Sequence, residues 1–556
     1  MRKVKFLTLA MAALAFAACS NDDTIDNSSE NGGKAGGKAW LALQINKSTG
    51  NTRNLNNPEK ENGTSDETDI SSAKVILFKY TGSGAAPLAQ DAPTDFLVVQ
   101  VEDLTGAEVG TPTQGGSGSA APSKAFKVSG DAEYILFIAN PPANFPTISA
   151  NVHTFAYVNS ALSDAATDHT TPAIATNQKF MMTNAKGDLE PSTSATDPAL
   201  TPVATYDTET AAQAAPAALT VDRVAAKVRV NSGSLASSLF DFSDTGWILN
   251  VTNKKYFPVS KRTKTQEELT NGNYIWSDPY KLGSYRVDPN YNNTADGSAW
   301  VDATPAASQT AYNAHYNYYT EAAQPAAWKT SGNTQYCLEN TQVAADNLHA
   351  YTTHVLFKAR VNPKTYEMPD KSLTPAASTA HDWIKIGSGF YTSATLIEWI
   401  KAQLEAGETG LADAFNIYLK GIYDADNTSG INVVTIDITN AGTIATTVTD
   451  FTTMLANLAA YANSAATYGV VSYYKAGLNY YKIAIKHDDY DTGLNQLGEF
   501  GVVRNSVYDI NLNNILKPGF PTIPDPDDTP DEEKDLYLSV QIEINPWTWY
   551  TQENDL

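Results

Sequence analysis

Cys19 is the residue whose setting points most directly to a reaction. It stands in Phe16-Ala17-Ala18-Cys19-Ser20, behind a basic start (Arg2, Lys3, Lys5) and an apolar run from Phe6 to Ala18. That run is too short to span a bilayer as a mature helix, and it reads as a signal peptide. Small residues before a cysteine suit a lipoprotein signal peptidase, which admits the chain up to the thiol that receives a diacylglycerol. Phe16 stands where such a motif usually has Leu. A second reaction suits Lys47-Ser48-Thr49-Gly50-Asn51-Thr52-Arg53-Asn54-Leu55-Asn56-Asn57-Pro58, a polar loop. Flexible loops of this composition are where nicking is easiest. A trypsin-like protease would cut after Arg53, or alternatively after Lys47.

The other reactive residue types form no site. The seven histidines include no His-Glu-x-x-His and no Cys/His cluster, and the chain has no Walker loop and no Gly-x-Ser-x-Gly elbow. No catalytic residue, cofactor or metal site is therefore expected. With Cys19 in the leader, Cys337 is left without a partner, and its apolar neighbours make it a buried thiol. Asp424-Ala425-Asp426-Asn427-Thr428-Ser429-Gly430 falls short of a calcium loop, since its Gly is seventh rather than sixth and no Glu closes it. His487-Asp488-Asp489-Tyr490-Asp491 reads as a solvated loop. Tyr312-Asn313-Ala314-His315-Tyr316-Asn317-Tyr318-Tyr319 reads as loop packing, with stacking on sugars as the alternative.

Composition bounds the rest. The chain has 556 residues, which suits two domains of ordinary size with tails. Net charge is −23, which opposes binding to nucleic acid or anionic membranes and favours solubility. Tyr outnumbers Phe, 29 to 18, as suits wet sheet faces.

The elements that must position the cleavable loop are strands. Ala39–Asn46, Ala73–Tyr80, Phe96–Val101, Ala125–Val128 and Tyr134–Ala139 alternate or run apolar between turn clusters, at the spacing of a sandwich. Thr220–Val230 alternates well and closes a first domain, with a boundary near 231–234. Further strands follow at Trp247–Val251, Thr353–Val361, Tyr480–His487 and Ser506–Leu512. Roughly 270–335 reads as extended loops. Leu396, Ile400 and Leu404, then Phe451, Leu455 and Leu458, recur at helical spacing and predict two packing helices. The organisation is thus a leader with lipobox (1–19), a disordered tether (20–38), two domains (39–232 and 233–516), a Pro/Asp linker (517–535) and a tail (536–556). Prolines and like charges extend such a linker and keep it out of a core.

The tail is a perfect period-2 strand. Leu536, Leu538, Val540, Ile542 and Ile544 face one way and polar residues the other, followed by Pro546 and the aromatic anchor Trp547. Leu538-Ser539-Val540-Gln541-Ile542-Glu543 repeats the phase of Leu41-Ala42-Leu43-Gln44-Ile45-Asn46. A groove shaped for Leu41, Leu43 and Ile45 would accept Leu538, Val540 and Ile542. Cutting after Arg53 would free the first strand and open that groove. The tail of another molecule could then fill it, building a head-to-tail filament.

These residues resemble the fimbrillins of Bacteroidales, the type V pilus subunits, and within them the major subunit of the short fimbriae. The resemblance is carried by the lipobox at Cys19, Ala73–Tyr80, Phe180-Met181-Met182-Thr183-Asn184, Val221–Val230, Tyr336–Asn340, Thr353–Val361, Val502–Tyr508 and the ending with Asn545-Pro546-Trp547 and Asp555-Leu556. It implies two transthyretin-like β-sandwich domains, a mainly β chain with a few packing helices, and an extended C-terminal donor arm. It also implies export through the periplasm as an outer-membrane lipoprotein and cleavage by an arginine-specific protease, by position at Arg53. The expected partners are other copies, related pilus subunits, the processing protease, the outer membrane through the precursor's lipid, and host or bacterial surface ligands. The segment 384–477 fits the pattern poorly. The expected function is a stalk subunit of a cell-surface fimbrium. The alternatives are a monomeric adhesin or glycan-binding lipoprotein, or an anchor or tip subunit.

Overall fold

The computed structural model describes residues 37–47, 63–114, 121–166, 171–176, 179–184, 199–262, 286–291, 312–369, 373–375, 381–426, 433–461, 467–487, 495, 497–531, 538–546 and 550–551. Cys19, Arg53, Leu536 and Trp547 lie outside them. The chain is mainly β with a few helices.

The first expected strand forms as two, β1 (Lys38–Leu41) and β2 (Leu43–Lys47). They are followed by α1 (Ser65–Thr68), β3 (Ser72–Tyr80), β4 (Phe96–Thr105), α2 (Gly106–Val109), β5 (Thr113–Gln114), β6 (Phe126–Ser129), β7 (Tyr134–Ala139), β8 (Met182–Asn184) and β9 (Ala217–Arg223). The first sheet runs β4-β3-β7-β8-β9-β2-β5, with Thr201–Pro202 also paired to β7. β1 pairs separately with β6. Both faces of this sheet are covered, which explains why β3 and β7 read as apolar runs rather than clean alternations. Val75, Leu77, Ile135 and Phe137 share one core with Leu41, Leu43 and Ile45. Ile76, Phe78, Leu136 and Ile138 meet Phe155, Val158, Met181 and Leu200 on the other side.

The expected single strand Thr220–Val230 divides at Val224. β9 stays in the first sheet, while β10 (Ala225–Asn231) enters a second. The apolar phase switches across the division, from Leu219 and Val221 to Val224, Ala226, Val228 and Val230, and that switch is the mark the break leaves in the sequence. Hydrogen bonding makes the break: the Val224 N–H donates to the Met181 carbonyl, and the Asn505 N–H to the Ala225 carbonyl, both at 2.9 Å. The passage between sheets thus falls before the 231–234 turn.

Beyond it lie β11 (Phe240–Asn250), β12 (Thr334–Leu338), β13 (His354–Pro363), β14 (Leu478–Ala484), β15 (Ser506–Ile515), β16 (Leu538–Pro546) and β17 (Tyr550–Thr551). They make two sheets, β12-β10-β15-β16-β17 and β11-β13-β14. Val228, Val230, Tyr508, Ile510 and Leu512 of one pack against Trp247, Leu249, Val355, Phe357 and Tyr481 of the other, which is a sandwich.

Segment 384–477 is a module of its own. Helices α3 (Ser393–Glu405), α4 (Gly410–Asp426) and α5 (Ala441–Tyr461) pack on a four-stranded sheet through a separate core. α3 and α5 contain the two expected helices. α4 was not anticipated, although Leu411, Phe415, Tyr418, Leu419 and Ile422 recur at helical spacing and are buried. Asp424 and Asp426 end this helix rather than start an ion-binding loop.

Two expectations are corrected at the C-terminal end. The linker does join a core. Phe520 bridges to Tyr480 with two 2.8 Å backbone hydrogen bonds, and Ile523 is buried beside Ile248 and Leu356. Its acidic half is held too, with the Ala350 N–H on the Asp527 carbonyl and the Thr352 hydroxyl donating to Asp531. Two apolar residues and a set of hydrogen bonds outweigh the stiffness of the prolines. Nor does the tail stand away as an extended arm. Leu538–Pro546 is paired antiparallel to β15 of its own chain, from Ile515 opposite Leu538 to Ser506 opposite Pro546.

Candidate assembly site: the leading strands and the tail

β2 is an interior strand. It runs parallel to β9, with Leu43 opposite Ala217, Ile45 opposite Leu219 and Lys47 opposite Val221. Its other edge meets β5 at Asn46 and Lys47. The Ala217 N–H donates to the Ala42 carbonyl and the Ser123 N–H to that of Leu43, both at 2.8 Å, while the Leu43 N–H donates to the Ser123 hydroxyl at 2.9 Å. β1 is tied to Tyr206 by reciprocal backbone bonds at Trp40. Leu41, Leu43 and Ile45 are 0%, 0% and 2% exposed. Alternation forces these three toward one face, and the core of the first sheet is built around them. Their burial contributes roughly 5–9 kcal/mol, at 1.5–3 kcal/mol per aliphatic side chain.

The residues on either side of 48–62 differ in access. Lys47 is the last residue of β2, laddered on both sides and half-buried. Burial lowers the pKa of its ammonium, Asp69 opposes that shift, and Arg223 adds to it. On the far side of the loop, α1 is clamped to the second sheet. Glu67, 1% exposed, is 2.8 Å from Lys227 Nζ and accepts a hydrogen bond from Tyr336 at 2.5 Å. Arg223 Nε donates to the Glu67 carbonyl at 2.8 Å. Burial would raise the Glu67 carboxyl, but Lys227, Tyr336 and the Thr64 N–H outweigh it and hold it below its ordinary range. Nothing in the sequence singled out Glu67. Its one signal is Thr64 three residues ahead, a capping-box spacing.

The tail strand carries a full ladder to β15 on one side, while among the described residues the other side is met by β17 at Glu543 and Ile544. Val540, Ile542 and Ile544 stand opposite Leu512, Ile510 and Tyr508, whose side chains belong to the second core. The strap before it is fastened by Asp527, 3.6 Å from Lys482 and 3.4 Å from His349. Burial would raise the Asp527 carboxyl, yet these neighbours hold it well below the usual carboxylate range.

The remaining chemical residues are packing residues. The Cys337 thiol is buried and pushed up to about 12 by desolvation. His487 is buried against the Tyr508 hydroxyl at 2.7 Å, while Asp488–Asp491 lie outside the described residues. Tyr312, Tyr316 and Tyr319 are buried, and Tyr312 donates to the Ala350 carbonyl, so these rings are not offered to a sugar. Among the described residues no group of three or more His, Cys, Asp or Glu is arranged to hold a metal ion.

Residues 472–553, which span β14, β15, the strap and the tail, match the family of the major fimbrial subunit protein type IV, fimbrillin, C-terminal. Over this region the chain is similar to the C-terminal part of fimbrillins. No curated protein matches the chain. Among solved structures, it is similar to a fimbrilin from Porphyromonas gingivalis at 13% identity, over 92% of this chain and 99% of that one, with a TM-score of 0.36. A candidate cell adhesion protein from Parabacteroides distasonis is 12% identical over 92% and 100%, with a TM-score of 0.37. The tip fimbrial protein of Porphyromonas gingivalis, with its C-terminus truncated, is 13% identical over 62% and 88%, with a TM-score of 0.26.

Proposed function

We propose that this chain is a stalk subunit of a cell-surface fimbria, polymerising by strand exchange after its leading strands are cut away. One observation carries the reading. Leu41, Leu43 and Ile45 complete the first core from a slot between β9 and β5, and the one strand that repeats their phase, Leu538–Pro546, lies between β15 and the short β17. In the vacated slot the tail would meet the β9 ladder, the short β5 contact and the Ser123 bonds that now hold β2.

In this reading Cys19 carries the lipid of an outer-membrane precursor, and an arginine-specific protease cuts after Arg53. Proteases take substrates as free extended backbone, and Lys47 is committed to two ladders. Arg53 is therefore preferred over Lys47. The clamp at Glu67 keeps the new N-terminus against the body while residues 38–47 depart. Related pilus subunits and surface ligands are the further partners. A tail docked on its own sheet also favours a second reading, a self-contained monomeric adhesin or an anchor or tip subunit. Deleting Leu538–Thr551 separates the two. After arginine-directed trimming, the full chain should give filaments by electron microscopy and the deletion none. Filaments from the deletion would contradict strand exchange.

A further inference from the structure

A cavity of about 310 Å³ opens at the end of β2, lined by Lys47, Asp69, Ile70, Val109, Gly110 and Pro112 among others. Its apolar wall is continuous with the first core, to which Ile70 and Val109 belong. Lys47 reaches it because it holds the same phase as Leu43 and Ile45, so the leading strand ends its core-facing row with an ammonium. The tail continues the same row differently. With Leu538, Val540 and Ile542 in the places of Leu41, Leu43 and Ile45, the next core-facing residue is Ile544, in the place of Lys47.

We propose that this cavity is the seat for Ile544 of a neighbouring copy, and that it gives the exchange its direction by accepting an aliphatic side chain where the departing strand offers a charge. The inference rests on the strand-exchange reading. The recess is open to solvent on one side and lined about equally by polar and apolar groups, and its volume leaves room for an aliphatic side chain. The chemistry runs the same way. A half-buried lysine in this position is desolvated at a cost, whereas a branched aliphatic side chain is stabilised by the same burial. The leading strand thus resembles a provisional occupant, with a match over three residues and a mismatch at the fourth. The tail extends the match to the fourth.

The test uses one-way pairs. An untrimmed chain can only donate its tail, and a trimmed chain lacking Leu538–Thr551 can only accept one. Heterodimer formation between the two is measured by size-exclusion chromatography. The donor Ile544→Lys should give about tenfold weaker association, the loss expected for one aliphatic side chain. The acceptor Pro112→Tyr, which fills the cavity from its half-buried rim and leaves every tail residue native, should weaken association similarly. Wild-type association by both variants would overturn the seat while leaving strand exchange standing. Failure of the wild-type pair to associate at all would bring down the strand-exchange reading itself.

Discussion

The leading strands and the tail strand carry nearly the same pattern of side chains but are held differently. β2 has a full ladder to β9 and, on its other side, a two-residue contact with β5 reinforced by the Ser123 bonds at Leu43, with its aliphatic residues at 0–2% exposure. β16 has a full ladder to β15 and, among the described residues, a two-residue contact with β17 on its other side. A period-2 pattern states which face a strand buries and leaves open whether its edges are occupied. In the strand-exchange reading the leading strands leave when the chain beside them is severed, and the tail detaches intact.

The largest effect that would break this comparison is at the processing loop. Arg53→Gln should abolish trimming, read as retention of the full-length precursor on a gel, whereas Lys47→Gln should leave the trimming rate within about twofold, since its backbone is held in a sheet. Rapid trimming of the Arg53 variant would show that the ladder at Lys47 opens readily.

Next in size is the core. Leu43→Ala in the untrimmed chain should cost about 2–5 kcal/mol in denaturant unfolding, the usual toll for a large-to-small change in a closed core. A cost under about 1 kcal/mol would mean that the slot collapses around smaller side chains and is no template for a donor.

The second half of the molecule should also show a pH dependence between pH 3.8 and about 7. Asp288 is raised to about 7, chiefly by burial, with Glu339 adding to the shift against hydrogen bonds from Thr341 and Asn290. A carboxyl raised in the folded state holds its proton more tightly there than in the unfolded chain. Its contribution is therefore most favourable below the ordinary value of 3.8 and is lost as pH climbs to about 7. Asp288→Asn should flatten the melting temperature over that window, by the equivalent of about 2–4 kcal/mol at its upper end. An unchanged pH profile would show that Asp288 does not carry it.

The smallest effect is in local opening. Amides of Leu538–Asn545 should exchange with solvent at least about tenfold faster than those of Leu43–Lys47 in the untrimmed chain, since a strand that can be donated must open more readily than the core strand it replaces. Equal protection would remove the asymmetry between the two strands.

Much of this arrangement was legible in the sequence. The dense strands at 72–80, 134–139 and 354–363 announce themselves because both faces, or one face and a neighbour, are apolar. The matching phase of 41–45 and 538–542 is equally visible. The break at Val224 was legible too, as a switch of apolar phase from Val221 to Val224 and Ala226, but it was not read. Two features were not legible. The docking of the linker depends on Phe520 and Ile523, isolated apolar residues in a segment whose composition argues for extension. The clamp at Glu67 joins Lys227 and Tyr336, partners far away in sequence, so no local pattern carries it. α4 is a different case, because its helical spacing was present and simply unread.

The claim beneath all of this is that a neighbour's tail takes the place of β2. Cysteines at Leu219, which faces Ile45 across the β9–β2 ladder, and at Ile542, which shares the phase of Ile45, test it directly. After trimming, assembly and mild oxidation, the Leu219→Cys/Ile542→Cys chain should run as a ladder of disulfide-linked multimers on a non-reducing gel. Filaments that form normally but yield no such ladder would place the tail elsewhere and contradict the account.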